Sequence, residues 1–320
     1  MKEIVITANE AGQRLDRFLR KYLVNMSLSG IYKAIRKKDI KINGAKSSEK
    51  YVLNQGDVIQ FYFDFDEVKK EKKLDFLSIA YDFKVAYEDE NILVVEKKAD
   101  VLVHPDEGKG VTLTDQVLSF LYDKGLYNPG EERTFSPSPC NRLDRNTEGL
   151  VIFAKNYDAL KAVNEAIRDG GVEKHYTTMV SGRIADNTYR AYILKDIQTN
   201  KVSIHENSVK GAKEIVTKVS NIDSIGQFSV IDIDLITGRS HQIRAHLSWL
   251  GNPIVGDPKY GDKKTNAFFK ERYNLENQFL VAHKLIFRRC PESIKYLEGK
   301  TITMALPQLF KKIHKDLFKI

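Results

Sequence analysis

The chain has 320 residues, 42% hydrophobic and 29% charged, which is typical of a folded soluble protein long enough for two domains. It begins without the apolar segment of a secretory signal, and no apolar run is long enough to span a bilayer. Two cysteines cannot form a disulfide scaffold, and the seven histidines show no metal-binding spacing. We therefore expect a cytoplasmic protein with no membrane partner and no metal.

The net charge of +8 is concentrated at the N-terminus. Residues 1–63 hold 12 Lys and Arg against 6 Asp and Glu, so +6 lies there and only +2 in the rest of the chain. A basic module on a nearly neutral body indicates an anion-binding domain, for which nucleic acid is the commonest partner. The alternative is an ordinary solvated basic face.

The first elements predicted are two basic helices that lead into a small sheet. "RLDRFLRKYL", residues 14–23, places its apolar side chains on one helical face and its basic side chains on the other. A second helix is predicted from Ser29, as N-cap, to Lys38, with Ile31, Ala34 and Ile35 facing inward. Residues 40–42 alternate as a strand before an Asn43-Gly44 turn, and 55–63 contain a further strand.

The segment 64–82 is dense in charge and predicts a linker between the N-terminal unit and a body at 83–320. In the body, strands are predicted at 92–95, 101–103, 174–182, 213–222 and 227–238. An exposed loop is predicted at 128–139, and a helix at 157–169 ends at Gly170. Strands and helices without regular alternation indicate an α+β fold.

The first candidate for chemistry is Asp144, in "NRLDRNTEGLVIFAK" at 141–155. The carboxylate precedes a Thr-Glu-Gly turn, and a buried strand is predicted directly after it. Taken alone, an aspartate beside such a turn is more often a capping or turn residue than a catalytic one.

A second cluster, "TGRSHQIRAHL" at 237–247, follows a predicted strand and contains many directional hydrogen-bond donors. Arg239 and Arg244 are among them, and a guanidinium can pair with a carboxylate through two hydrogen bonds and hold it ionised. His241 and Gln242 are interpreted as scaffold. A third stretch, "NPIVGDPKYG" at 252–261, contains Asp257, for which a structural role in the loop is favoured.

These segments, in this order, resemble the RluA/RluC/RluD family of pseudouridine synthases, which modify uridines mainly in large-subunit ribosomal RNA. That family's marker is His-Arg-Leu-Asp, two variable residues, Thr-Ser-Gly and a strand that ends in Ala-Lys. The residues that match it are Arg142, Leu143, Asp144, Thr147, Gly149, Ala154 and Lys155. Further matches lie at Lys174-His175-Tyr176, at every fixed position of 237–246, and in 252–261 and 280–287.

The resemblance covers residues 83–308, and the N-terminal unit resembles an S4 RNA-binding domain at 12–19, 35–46 and 53–59. Four departures stand out from the family pattern. They are Asn141 for His, Glu148 for Ser, Lys98-Ala99-Asp100 for Lys-Pro-x-Gly, and Val281 for His.

The resemblance implies a pseudouridine synthase fold, a mixed and largely antiparallel sheet flanked by helices. It implies a reaction in which the bond from N1 to C1′ breaks and uracil is reattached through C5, without metal or redox cofactor. Asp144 would be the catalytic carboxylate, either attacking the sugar or assisting glycal formation. The substrate would be RNA, with ribosomal RNA favoured and transfer RNA the alternative.

The other site residues implied by the resemblance have distinct roles. Arg244 would pair with Asp144, and Tyr176 would stack on a uracil that has left its helical stack. Arg142 would fill the vacated space or bind a phosphate, and Leu280 would line the pocket. Arg239 would bind a second phosphate or act structurally.

Two other hypotheses about the function remain open at this point. The first is an RNA-binding or ribosome-assembly factor that keeps the fold without activity. The second is a glycosidase-type hydrolase with Asp144 and Asp257 as its pair of carboxylates. A monomer is expected by default. The sequence does not identify which uridine is modified.

Overall fold

The computed structural model describes residues 1–23, 25–63, 74–105, 110–130, 134–196 and 201–318. The N-terminal elements are β1 (Lys2–Val5), α1 (Leu15–Tyr22), α2 (Leu28–Lys37), β2 (Ile40–Ile42), β3 (Ala45–Lys46) and β4 (Val58–Phe61). A 3-10 helix at Leu74–Ser78 follows, then β5 (Lys84–Glu88), β6 (Ile92–Lys97), α3 (Leu113–Asp123), β7 (Ser138–Pro139), β8 (Glu148–Ala154) and α4 (Tyr157–Arg168).

The remaining strands and helices complete the body. They are β9 (Val172–Ser181), β10 (Asn187–Lys195), β11 (Val202–His205), β12 (Lys213–Ile225), β13 (Phe228–Leu235), α5 (Gln242–Trp249), α6 (Lys263–Tyr273), β14 (Leu280–Phe287), β15 (Thr301–Thr303) and α7 (Gln308–Phe318), with a 3-10 helix at Glu292–Leu297 before β15. Within the described ranges, no helix combines the length and the apolar character needed to cross a membrane.

The N-terminal unit has its own sheet and its own core. Strands lie in the order β1-β4-β2-β3, and the inward faces of α1 and α2 cover them. Leu15, Phe18 and Ile31 are fully buried, whereas the basic residues of α1 are exposed, which confirms the predicted amphipathic pattern. Asn43 and Gly44 both have positive φ, as a two-residue turn between strands requires.

In the described part of the body, eleven strands form one large mixed sheet. Its main path runs β11-β10-β12-β13-β9-β14-β8-β6-β5, with β15 paired to β14 and β7 to β8. The pairings are antiparallel except that of β14 with β8, where Val281 lies opposite Glu148. This is the mixed, largely antiparallel α+β arrangement expected from the sequence.

Helices cover both faces of this sheet. One face packs against α3 and α5 and contains Leu143, Tyr176 and Leu280. The opposite face packs against α4 at the β6 and β8 end of the sheet, and against α6 and α7 at the β9 and β13 end. Because side chains alternate along a strand, β9 presents Tyr176 to the first face and Met179 to the other.

Several elements differ from the sequence expectations. The predicted strand at 101–103 is an irregular segment, because Val101 O accepts a hydrogen bond from Lys97 Nζ and Val103 O bonds to the start of α3. Helix α2 is capped by Ser27 rather than Ser29, since the Ser27 hydroxyl accepts from Gly30 N at 3.2 Å. Phe135, in the loop expected to be exposed, is buried.

The predicted linker falls partly outside the described residues, at 64–73. Its later part contains the 3-10 helix, and Phe76 there is 7% exposed and packs in the core of the body. Contacts between the N-terminal unit and the body are polar: Asn9 Oδ1 accepts from Tyr157 N at 3.3 Å, and Lys21 Nζ donates to Thr134 O at 3.4 Å.

At Gly149, the backbone of β8 lies very close to Ala282 of β14. Its φ is +143°, and a Cβ at this position would overlap the backbone and the side chain of Ala282. The glycine therefore permits the parallel pairing that brings the start of β8 beside β14.

We expect Gly149→Ala to lower the free energy of unfolding by roughly 4 kcal/mol, because backbone strain and steric overlap add. Gly125→Ala is the matched control, since Gly125 has a φ of +68° with open space around it. It should cost only about 1 kcal/mol. Urea unfolding of both variants measures the difference, and equal losses would contradict the overlap.

Candidate active site

Asp144 lies in a tight turn at the start of β8. Its carbonyl oxygen accepts a hydrogen bond from Thr147 N at 3.1 Å, so the residue does shape a turn. Its side chain is 20% exposed and faces a cleft. The turn is held to the rest of the body by Asn146 Nδ2, which donates to Asn277 Oδ1 at 2.7 Å, and by Gln278 Nε2, which donates to Thr147 Oγ1 at 3.2 Å.

Arg244 on α5 binds two carboxylates at once. Its Nη1 donates to Asp144 Oδ2 at 2.8 Å. Its Nε and Nη2 donate to the two carboxylate oxygens of Asp257 at 2.7 and 2.9 Å. The pairing of Arg244 with Asp144 is thus present. Burial lowers the Arg244 pKa, but the hydrogen bonds to Asp257 and Asp144 outweigh it, so the pKa is raised and the charge is permanent.

Asp257 is closed to solvent, with 0% exposure. Besides Arg244, its Oδ1 accepts from the backbone N–H groups of Lys259 and Tyr260 at 2.8 and 3.0 Å. A carboxylate with this many donors and no access to solvent acts as a structural anchor for the guanidinium. It lies too deep to act on a sugar, which argues against the paired-carboxylate hydrolase.

The cleft beside Asp144 has a volume of about 530 Å³. All six site residues expected from the sequence line it, although they come from four separate stretches of the chain. These residues are Arg142, Asp144, Tyr176, Arg239, Arg244 and Leu280. The structure thus brings the expected set together, while the role of each member stays a prediction.

Tyr176 and Leu280 form apolar walls of the cleft, each with 5% of its surface exposed. They lie on the neighbouring strands β9 and β14, where Leu280 pairs with Thr178 and Ala282 with Tyr176. Burial and the nearby Asp144 charge raise the pKa of the Tyr176 phenol. Tyr176 therefore stays neutral and offers an aromatic surface close to the carboxylate.

Arg142 and Arg239 are exposed at the edge of the cleft. The backbone N–H of Arg239 donates to Gln242 Oε1 at 3.1 Å, and Gln242 itself is buried and bonded to Val216 O and Thr217 Oγ1. The scaffold role expected for Gln242 matches these bonds. The Arg239 side chain is left facing the cleft.

Lys97 is a site residue that sequence reasoning missed. It is 1% exposed at the end of β6, and its Nζ donates to the carbonyl oxygens of Lys98, Val101 and Arg145 at 2.7 to 2.8 Å. Burial lowers its pKa to about 8, against the opposing charges of Glu148 and Asp144. Lys97 therefore holds the turn that carries Asp144 in place. Because Lys97 and this turn are far apart in sequence, only the structure shows that they are in contact.

Two departures from the family pattern have different surroundings. Asn141 bonds to the backbone of β8, because its Nδ2 donates to Leu150 O at 3.2 Å and its Oδ1 accepts from Ile152 N at 2.8 Å. Glu148 is half-buried, and burial raises its pKa against the opposing effect of Lys97. Asn141 therefore supports β8. Glu148 places an acidic group beside the turn that carries Asp144, where the family pattern has a neutral serine.

Comparison with known proteins adds independent information about this site. Residues 91–249, which include Asp144, Tyr176 and Arg244, match the family model described as RNA pseudouridylate synthase. A ribosomal large subunit pseudouridine synthase C from Buchnera aphidicola subsp. Baizongia pistaciae is 32% identical over 98% of this chain and 96% of that protein. The chain belongs to the RNA pseudouridylate synthase family. It is an RNA pseudouridine synthase, an isomerase.

Other relatives of this pseudouridine synthase are similar over most of their length. The ribosomal large subunit pseudouridine synthase C of Escherichia coli (strain K12) is 31% identical over 90% of this chain and 88% of that protein. Among solved structures, human RNA pseudouridylate synthase domain containing 4 has a TM-score of 0.58 at 23% identity, covering 73% of this chain and 92% of that one. That likeness supports the fold of the body.

We expect Arg244→Lys to lower the free energy of unfolding by about 3 kcal/mol, because one ammonium cannot replace the fork that satisfies the buried Asp257. Pseudouridine synthesis should fall as well. Arg190→Lys is the control, since Arg190 pairs with Glu214 at an exposed position, and it should change stability by less than about 0.5 kcal/mol. Denaturant unfolding measures the loss of stability in each variant. Similar losses in the two variants would contradict the role of Arg244 in satisfying Asp257.

Proposed function

We propose that this pseudouridine synthase modifies uridines in large-subunit (23S) ribosomal RNA, with Asp144 as the catalytic carboxylate. The observation that carries the proposal is the bond between Arg244 and Asp144 in an open cleft. The buried Asp257 holds the guanidinium in place, so a fixed positive charge lies against Asp144 and orients this carboxylate towards the space where a sugar would lie.

The substrate assignment rests on relatives whose names give the large ribosomal subunit as their target. Transfer RNA is the alternative substrate. A ribosomal substrate is in keeping with a cytoplasmic enzyme. Because all six expected site residues line one cleft of a single chain, we propose that a monomer is sufficient for activity.

The side chains that line the cleft could contact the base, the sugar and the flanking phosphates of a flipped nucleotide. Tyr176 would stack on the uracil, and Leu280 would pack beneath it. Arg142 and Arg239, both exposed at the edge, would bind flanking phosphates or, for Arg142, occupy the space left in the RNA. In this arrangement Asp144 faces C1′ of the sugar, and either of its two candidate roles remains chemically available.

Residues 1–63 would act as an S4-like RNA-binding domain joined to the catalytic domain at 83–320. Its exposed basic face on α1 includes Arg17 and Arg20, next to a core that holds the helix in place. Contacts of this kind attract the phosphate backbone without reading sequence. The domain would therefore increase affinity for RNA, while the cleft selects the uridine.

Asp144→Asn should abolish pseudouridine formation, a loss of roughly 10⁴-fold, while folding and RNA binding stay near wild type. Asp123→Asn, at an exposed position on α3, is the control and should keep full activity. The measurement is pseudouridine mapping across ribosomal and transfer RNA in cells that lack the gene, complemented with each variant. Wild-type modification by the Asp144 variant would refute the proposed mechanism.

Tyr176→Phe should keep most of the activity, because the aromatic face that stacks on uracil is preserved. Tyr176→Leu should lower kcat/KM by about tenfold to a hundredfold, the range expected when base stacking on an aromatic ring is lost. Steady-state kinetics on an RNA fragment compares the two. If the Phe variant loses as much as the Leu variant, the hydroxyl rather than the ring is essential.

A further inference from the structure

Tyr260 joins two parts of the body that are far apart in sequence. The residue lies in the loop between α5 and α6, where its backbone N–H donates to Asp257 Oδ1 at 3.0 Å. Its ring lies against the Arg244 guanidinium, with 5.3 Å between the Arg244 carbon Cζ and the ring centroid. The ring therefore restrains the same guanidinium that Asp257 and Asp144 hold by hydrogen bonds.

The Tyr260 hydroxyl contacts two other elements. Its Oη lies 2.9 Å from His241 Nδ1 and accepts from Val202 N at 3.4 Å. Burial lowers the pKa of His241 and raises that of Tyr260, so the imidazole is neutral and the phenol protonated at neutral pH. Val202 N–H donates to the phenol oxygen, and the phenol shares a further hydrogen bond with His241 Nδ1 whose direction depends on the imidazole tautomer.

Val202 is the first residue of β11, which is the edge strand of the large sheet. Strand β11 pairs only with β10 among the described strands, and the two form a hairpin closed by Asp196 N donating to Lys201 O at 2.9 Å. The Val202 N–H points away from β10 and towards Tyr260. The hydroxyl of Tyr260 is thus a tertiary anchor for the end of this hairpin.

The anchored end of the hairpin is positively charged. The Lys201 charge lies close enough to Lys259 to contribute to lowering the Lys259 pKa, after burial and Arg244. Lys259 in turn is within electrostatic reach of Asp144. The hairpin therefore presents positive charge beside the catalytic turn, where an RNA phosphate would pass.

We propose that Tyr260 is a positioning residue that couples the β10–β11 hairpin to the guanidinium of Arg244. The ring fixes the guanidinium that aligns Asp144, and the hydroxyl fixes the hairpin that meets the RNA backbone. The two functions reside in different atoms of one side chain, so they can be separated by substitution. The inference rests on the proposed function of Asp144, but the docking of the hairpin can be measured without catalysis.

Hydrogen exchange of the Val202 amide tests the hydroxyl directly. In Tyr260→Phe the amide loses its acceptor and should exchange about tenfold faster, which corresponds to one hydrogen bond. The Ser203 amide, which pairs with Leu194 in the alternating ladder, should keep its rate and so report that the hairpin remains formed. An unchanged Val202 rate would overturn the anchoring of the hairpin.

Kinetics on an RNA substrate tests the separation of roles. Tyr260→Phe should raise KM about fivefold with kcat within about twofold of wild type, because the ring over Arg244 is kept. Tyr260→Leu should also lower kcat by about tenfold. Wild-type kcat in the Leu variant would overturn the role of the ring. A Phe variant that loses kcat as the Leu variant does would overturn the separation.

Two further variants complete the design. Val202→Pro removes the same donor at an outward edge position, so it should raise KM as Tyr260→Phe does, and the double variant should be no worse than either. Tyr273→Phe is the matched control, since the Tyr273 hydroxyl is buried without a hydrogen-bond partner among the described residues. If Asp144→Asn makes pseudouridine at the wild-type rate, the proposed function of Asp144 fails, and the Val202 exchange rates still decide whether Tyr260 anchors the hairpin.

Discussion

The cleft proposed as the active site depends on one guanidinium that is shared between a buried carboxylate and a partly exposed one. Arg244 commits two N–H groups to Asp257, which no solvent reaches, and one to Asp144, which faces the cleft. Burying a cation lowers the stability of the fold unless hydrogen-bonding partners of opposite charge surround it. Asp257 is such a partner, and it fixes the position of the Arg244 guanidinium. The open carboxylate therefore meets a charge that is already oriented, and no rearrangement is needed when substrate arrives.

The sheet behind the cleft is reinforced on its other face. Asp232 on β13 binds His175 Nδ1 at 2.8 Å on β9 and His283 Nε2 at 3.0 Å on β14. The hydrogen bond to Asp232 raises the pKa of His175, so the imidazole favours its charged form. These bonds cross the three strands directly behind Tyr176 and Leu280. The wall proposed to hold the uracil is thereby kept from shifting.

Sequence periodicity predicted the structure correctly where it depends mainly on the segment itself. Helix α1 is an example, because its apolar face is buried and its arginines are exposed. Periodicity failed where side chains outside a segment bind its backbone: residues 101–103 are apolar enough for a strand, but their carbonyl groups accept hydrogen bonds from Lys97 and from the start of α3. The resemblance to a family supplied the pairing of Arg244 with Asp144. Lys97 was not foreseen, because its bond to Arg145 O joins segments 48 residues apart, and the anchoring by Asp257 was not foreseen, because it depends on how the loop folds back onto α5.

The order of strands has a consequence for biosynthesis. Strand β14 lies between β8 and β9, yet it begins 126 residues after the end of β8 and 99 residues after the end of β9. A nascent chain that has not yet released residues 280–287 has two central strands without their shared neighbour and a cleft without Leu280. The enzyme consequently cannot complete its cleft before residues 280–287 have been made, and while the segment between β9 and β14 is being synthesised the large sheet lacks a central strand.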